Sequence, residues 1–546
     1  MAHPHPLASL PPGHFLALPP TFSNDPGTSI TTASHAAPSA PNVASLAAAD
    51  FDVDVRTGFL PPKANIERLP PPYDVWEDAF EAAHGDQPGD GVRLGGGRPK
   101  DEAWREGVRA MPVLDIAGLN DLPLLRRAHL VLAFLLHFYV HTTPTEGEKP
   151  TEVPACISVP ILKISPLVGL PPVLTYADTV LWNVQGTDSS RLINLADNPP
   201  TRTLGTFTGT KSEAGFYTVS AECEAAGAAA LALMRQCLDE LFLADEVALR
   251  RLTVYLRQLA VQIDRVGDIT LKMMTEVDPE EFYHLIRPWF RGGDGSGPDA
   301  PGWLFLGTSG DDSLGEAENM LSASTYTTED GEEVRGRKFS GPSAGQSSVV
   351  HAFDVFLTVD HAPRADEDSE SIAVAGGTES PRIILNSSPL VQHHHHDDED
   401  DAPLATPTEQ SGGPVEATFL QRMLQYMPLP HRTFLLHLAA HPTPLRPLVI
   451  ARANTHPELA EAYNEALAAL RRFRDKHMRV VSRHIVQQAR RPPSERILKL
   501  LGREGEVAEK QEDVSDDQLR GTGGTPLIRF LKRCRDNVSR AMVKDA

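Results

Sequence analysis

The stretch Pro457-Glu-Leu459-Ala-Glu-Ala-Tyr463-Asn-Glu-Ala-Leu467-Ala-Ala-Leu470-Arg-Arg-Phe473-Arg474-Asp475-Lys476-His477-Met-Arg-Val480-Val481-Ser-Arg-His484-Ile-Val-Gln-Gln488 decides the fold. Leu459, Tyr463, Leu467, Leu470, Phe473, Val480 and Val481 recur every three or four residues, which predicts a long helix buried along one face. His477 stands in the middle of that stripe, where the period asks for an apolar side chain. Arg474, Asp475 and Lys476 flank it around the helix, and His484 lies beyond. A histidine so placed is either a core residue with a satisfied ring or a ligand to a group packed on the helix. A haem ligand would need an acid to orient its ring, an apolar plane for the porphyrin and a facing pocket.

Outward from this helix the same periodicity appears at Leu122–Tyr139, Ala221–Phe242, Ala244–Val266, Pro279–Phe290, Thr418–Met427 and His431–Ala440. Ile157–Val184 is richer in Val, Ile, Thr and Pro and reads as turns, short strands and one short helix. Ser340–Val359 reads as a Gly- and Ser-rich loop feeding an apolar helix. Residues 489–520 read as a polar link before a Gly-Thr loop at 521–525. The expected fold is therefore mainly α. A disordered tail spans 1–50, a small mixed α/β N-terminal domain 51–206, and a large all-helical domain 207–546.

Of the 546 residues 41% are hydrophobic, enough for a large core, while 47 Pro and 40 Gly imply long irregular segments. The net charge of −22 is concentrated in polar acidic inserts at 297–336 and 361–413. The remainder is nearly neutral and has no basic face, which argues against nucleic-acid binding. Four cysteines, widely spaced and without a CxxC pair, argue against a disulfide framework or structural zinc and for a reducing compartment. Residues 1–50 contain no Lys or Arg, unlike a signal or transit peptide. The apolar run Ala128–Tyr139 is too short for the about 20 residues of a membrane span. A cytoplasmic monomer that binds no membrane is expected.

Several motifs compete for the function. Gly341-Pro342-Ser343-Ala344-Gly345 matches the GxSxG of a hydrolase elbow, but the preceding Gly336–Ser340 is too polar for the buried strand that an elbow needs. Gly205–Ser212 nearly spells a phosphate-binding loop, yet Thr210 replaces the glycine before the lysine. His393–His396 with Asp397–Asp401 reads as a solvated run. His137/His141 and His437/His441 have the i,i+4 spacing of zinc ligands but lack a third ligand, so surface or core roles are expected.

Separated blocks, in order, carry a resemblance. They are Gly58-Phe-Leu-Pro61, Ile157–Ser165 with Gly169–Asp178, Gly215–Ser220, Phe282–Arg287, Ser343–Val349 with Phe353-Asp354, Tyr426–Arg432, the His477 helix and Gly521–Thr525. Together they resemble the indoleamine 2,3-dioxygenase family from about Phe51 to the C-terminal helix, the acidic inserts excepted.

The resemblance implies one haem b held between a small mixed domain and a large helical one. It makes His477 the iron ligand, with Asp354 and Arg474 as the ion pair behind it. It offers Ser220, Phe282 and Arg287 as catalytic residues. Tyr176, Phe216, Phe282, Arg287, Ser343, Ala344 and Thr525 become the substrate site. The implied reaction is cleavage of the indole 2,3-bond of L-tryptophan by O₂ to N-formylkynurenine, the first step of the kynurenine pathway that feeds NAD biosynthesis. The chemistry is coherent: two Phe rings can clasp an indole, and an arginine fork matches an amino-acid carboxylate. Pro342 departs from the family's usual glycine. A non-catalytic haem protein that binds oxygen or tryptophan on the same fold is the alternative.

Overall fold

A computed structural model describes residues 51–85, 87–144, 150–295, 300–307, 323–327, 333–361, 418–505, 519, 521 and 526–544. The expected tail, nearly all of the second acidic insert with its His393–Asp401 run, and Thr525 lie outside these residues.

The N-terminal portion carries helices α1 (Asp74–His84), α2 (Pro99–Arg109) and α3 (Leu122–Thr142), strand β1 (Thr151–Val153), helix α4 (Ala155–Val168), a π-turn (Ala177–Leu181) and strands β2 (Val184–Gln185) and β3 (Arg202–Thr203). The helical portion follows with α5 (Lys211–Leu243), α6 (Glu246–Thr270) and α7 (Met273–Glu276). A π-turn (Glu281–Ile286) and a 3₁₀ turn (Arg287–Phe290) come next. Strands β4 (Trp303–Phe305), β5 (Ala323–Thr327) and β6 (Glu333–Arg337) precede a 3₁₀ turn (Ala344–Gln346) and α8 (Ser348–Phe356). The chain ends with α9 (Phe419–Leu424), α10 (Leu429–Ala439), α11 (Leu445–Arg452), α12 (Pro457–Val481), a π-turn (Ser482–Val486), α13 (Glu495–Leu501) and α14 (Leu527–Ala541). The protein is mainly α, as its periodicity predicts.

Helix α12 buries Leu459, Tyr463, Leu467, Leu470 and Phe473 against α6, whose Leu252, Leu256, Leu259, Ile263 and Val266 supply the matching stripe. Helix α5 also packs along α6. The turn between α5 and α6 is set by Ala244 in the left-handed region at φ 49°, followed by Asp245, whose carboxylate caps α6 by accepting from the Val247 and Ala248 amides. These three helices form the frame on which the site is mounted.

Helix α3 is apolar nearly all round, and it is the one described helix long and apolar enough to cross a membrane. At 21 residues it exceeds the run read from the sequence, because Arg126 and Arg127 lie within it. Their charges are met inside the protein, Arg127 by the buried Glu77 at 2.6 and 2.8 Å and Arg126 by Asp52. The helix is mostly buried within the fold.

Three local readings are corrected. Ala155–Val168 is a continuous helix of 14 residues despite Pro160 and Pro166, where one short helix among turns and short strands was expected. Burial of Ile157, Ile161, Leu162 and Ile164 outweighs the backbone bonds that proline removes. Part of the first acidic insert is folded. Strands β4 and β6 and the peripheral β5 join β1 in one sheet of order β1-β4-β6-β5, with β1 and β4 parallel from Thr151↔Trp303 to Val153↔Phe305 and the other pairs antiparallel. The mixed region thus takes three of four strands from beyond residue 206. The acid count of 297–336 concealed the strand-forming Trp303-Leu-Phe305 and Ser324-Thr-Tyr-Thr327. Within the expected link 489–520, α13 begins at a Ser494 cap and ends at Gly502 with φ 71°.

Candidate active site

Helix α5 meets the π-turn Glu281–Ile286, which meets the π-turn after α12, while α8 reaches α12 through Asp354. Helix α5 presents Phe216, Ser220 and Glu224 at four-residue intervals, hence on one face. The π-turn carries Phe282, and its ring centroid lies 4.9 Å from that of Phe216 at an interplanar angle of 46°. Phe282 also meets His484 edge-on at 6.1 Å, so the two Phe candidates and the π-turn that follows α12 are neighbours in space.

The His477 ring stacks on Phe473, one turn earlier, with centroids 6.4 Å apart and planes 7° from parallel. Burial, then the Arg474 guanidinium, lower its pKa to about 4, so the imidazole is neutral at pH 7. No hydrogen bond to the ring is made among the described residues. His484, by contrast, bonds the Val480 and Val277 carbonyl oxygens at 3.0 Å each and is a satisfied core histidine.

Asp354 on α8 and Arg474 on α12 form a buried ion pair through Oδ2 and Nη2. Although burial raises the Asp354 pKa, Arg474 and His361 draw it well below the usual carboxylate range. Asp354 Oδ1 and Arg474 Nε take no hydrogen-bond partner among the described residues.

Arg287 opens the 3₁₀ turn directly after Ile286, and its guanidinium carbon lies 5.7 Å from the Tyr283 ring centroid. Burial lowers its pKa without removing its charge. Glu280 and Glu281 both pair with Arg496, and Glu280 also accepts from the Ser494 amide at 2.6 Å. Ser220 donates its hydroxyl to the Phe216 carbonyl at 2.8 Å, and so offers neither a general base nor a committed proton donor.

The loop 341–347 is seated on this region. Gly341 passes so close to the 3₁₀ turn that an added Cβ would stand 1.8 Å from the Phe290 carbonyl oxygen. Gln346 donates to Gly341 O at 2.9 Å and accepts from the Tyr176 amide at 2.8 Å. Ser343 is half-buried and Ala344 exposed. The Ser343 hydroxyl accepts only from the Gly345 amide, at 3.2 Å, and no histidine or acid bonds it among the described residues. It lacks the partners of a hydrolase nucleophile.

Tyr176 is buried and turns its hydroxyl onto Glu224 Oε1 at 3.1 Å; Ser347 donates to the same oxygen at 2.6 Å. Glu224 is 0% exposed, and burial, only partly offset by those two bonds, raises its pKa to about 7. Sequence reading missed Glu224, although its position one turn after Ser220 on the same helix face was the available signal. It also missed His361 at the edge of the acidic insert, for which no such signal exists.

The rival motifs have structural explanations. At Gly205–Ser212, Glu213 accepts from the Phe207 and Thr208 amides at 2.8 and 2.7 Å, so a carboxylate occupies the turn that a phosphate would need. His137 bonds the Trp289 carbonyl at 2.8 Å and His141 the Arg291 carbonyl at 2.9 Å. His437 packs edge-on to Phe51 and His441 accepts from the Thr443 amide. All four serve packing.

The donor set fits a haem. Among the described residues no group of three or more His, Cys, Asp or Glu side chains is placed to hold a metal. A protein-only iron or zinc site needs several such ligands, whereas a porphyrin supplies four nitrogens and asks the protein for one. A neutral imidazole with no hydrogen bond to its ring meets that need. The unmatched Arg474 Nε suits a haem carboxylate.

The chain belongs to the indoleamine 2,3-dioxygenase family, whose family model matches residues 47–541. It is thereby a member of a family of dioxygenases. Among individual relatives, it is 29% identical over 463 residues to the indoleamine 2,3-dioxygenase of Saccharomyces cerevisiae, covering 82% of this chain and 85% of that one. It is 27% identical to indoleamine 2,3-dioxygenase 1 of Mus musculus over 90% of this chain and 95% of the relative. It is 26% identical to the 6-hydroxytryptophan 2,3-dioxygenase of Fusarium equiseti over 89% and 96%.

Proposed function

We propose that the protein is a haem b enzyme that opens the indole 2,3-bond of L-tryptophan with O₂, both oxygen atoms entering N-formylkynurenine. The observation that carries the reading is a half-buried Arg287 five residues after Phe282, whose ring packs on Phe216. An oxygen store has no use for a carboxylate fork beside an aromatic clasp. The relatives' names, which specify indoleamine and 6-hydroxytryptophan, support an indole substrate.

His477 would hold the haem, with Arg474 meeting one of its carboxylates. Bound haem supplies the iron chemistry that activates dioxygen. The chain's own residues do the rest. Phe216 and Phe282 present apolar faces that fix the plane of an indole and exclude water. Arg287 receives the substrate carboxylate through two parallel N–H bonds, which sets the orientation of the ring relative to His477. Ser220, its hydroxyl turned back to its own helix, contributes a small side chain that leaves space for substrate and O₂ together. Thr525 and the Gly-Thr loop are assigned to the substrate ammonium.

The test is a spectrum followed by turnover. Purified protein should show a Soret band, and L-tryptophan added under reducing conditions in air should be consumed to N-formylkynurenine. A Soret band without any product would favour the non-catalytic haem protein instead.

A further inference from the structure

We infer that His361 is a positioning residue for the candidate haem site, gripping Asp354 alongside Arg474 and placing a second positive charge behind His477. This rests on the haem reading above. Its own observations are geometric. His361 Nε2 lies 3.2 Å from Asp354 Oδ2, the oxygen that also accepts from Arg474, though off the direct hydrogen-bond line. On its other side His361 Nδ1 lies 3.2 Å from the Asn537 side-chain amide of α14, whose oxygen and nitrogen exchange by a flip. Cys534, one turn earlier on α14, is a further neighbour. His361 therefore bridges the acid on α8 to the terminal helix, and α14 in turn packs on α12, which carries both Arg474 and His477.

One carboxylate with two cationic partners differs from a simple ion pair. In the pair the charges cancel; in the triad they leave an excess of positive charge near the iron ligand. Burial lowers the His361 pKa but the Asp354 carboxylate raises it, to about 9, which keeps the ring protonated at neutral pH. Arg474 stands three residues before His477 on α12, hence on the same side of that helix. A change in how firmly Asp354 is held is thus transmitted to the ligand along one turn of α12.

The experiment compares the haem-loaded wild type with His361→Leu, His361→Gln and His361→Lys by spectroelectrochemical titration. Loss of the cation favours the ferric state. At the wild-type midpoint His361→Leu should show a ferric-to-ferrous ratio raised by up to about tenfold, equal to about 59 mV for one electron. Haem content should be unchanged. His361→Lys should return the ratio towards one, which a merely structural role would not require. If His361→Leu fails to fold, His361→Gln replaces it, with the same expected direction. A haem-loaded, folded Leu or Gln variant with the wild-type midpoint overturns the proposal, as does a Lys variant that behaves like Leu. Wild-type protein that takes up no haem, or His477→Ala that binds it normally, would instead overturn the underlying haem assignment.

Discussion

Arg287 and Glu224 show how single residues acquire roles that their type alone does not fix. Arg287→Lys keeps the charge but loses the planar two-bond match to a carboxylate. A charge-assisted hydrogen bond is worth about 1.5–3 kcal/mol, so kcat/KM for L-tryptophan should fall roughly ten- to hundredfold with haem content intact. Steady-state kinetics with tryptamine, which lacks the carboxylate, should show a much smaller loss; equal losses on both would refute the clamp. Glu224 makes a prediction in pH. Burial raises its folded pKa to about 7, above the ordinary 4.5 of the unfolded chain. The folded state therefore holds a proton that the unfolded state has released. The stability this proton contributes is full below about pH 4.5 and is lost as pH rises through about 7. Glu224→Gln should flatten that decline, by an amount on the order of 2 kcal/mol, in chemical denaturation between pH 5 and 8. Parallel wild-type and Gln curves would show that the acid does not titrate there. His477 stood out in the sequence because it interrupts an apolar helical stripe, whereas Phe216 and Ser220 came from the family resemblance alone. Asp354's second partner His361 was not legible, because no periodicity links residue 361 to α14.

At the scale of elements, the loop 341–347 owes its position to a backbone approach. Gly341→Ala would drive a Cβ against the Phe290 carbonyl, and such overpacking costs about 1–3 kcal/mol unless the backbone shifts. Thermal unfolding should register a lower Tm, with a raised KM for tryptophan if the loop moves off the site. An unchanged Tm would mean that the contact relaxes freely. The long helices α5, α6 and α12 were legible as elements because their stripes run for many turns. Helix α4 was legible only as one short helix among turns and strands, since Pro160 and Pro166 speak locally against the full length that tertiary burial enforces. Strands β4 to β6 were hidden for a related reason: a strand of three to five residues has too few alternations to stand out from an acidic background. Their sheet pairs β1 with β4 across about 150 residues of chain, a contact that no local pattern encodes.

At the scale of the molecule, the excess acid is concentrated in stretches of sequence outside the long helices. Removing 366–413 behind a short Gly/Ser linker keeps His361 and changes loop-closure entropy by no more than roughly 0.6 kcal/mol per halving of length. Haem content and Tm should be preserved, as absorbance and calorimetry would report; loss of folded protein would mean that the segment packs on the core. The frame itself was readable because one buried helix, α12, requires partners of similar length, and the sequence supplies them. On the proposed function, this frame holds haem through His477 and directs both atoms of O₂ onto the indole ring. The most direct measurement is the mass of the product formed from L-tryptophan under heavy-isotope dioxygen. N-formylkynurenine should carry two labelled oxygens, and His477→Ala should form no product; a product with one label, or one formed equally by His477→Ala, would overturn the proposed function.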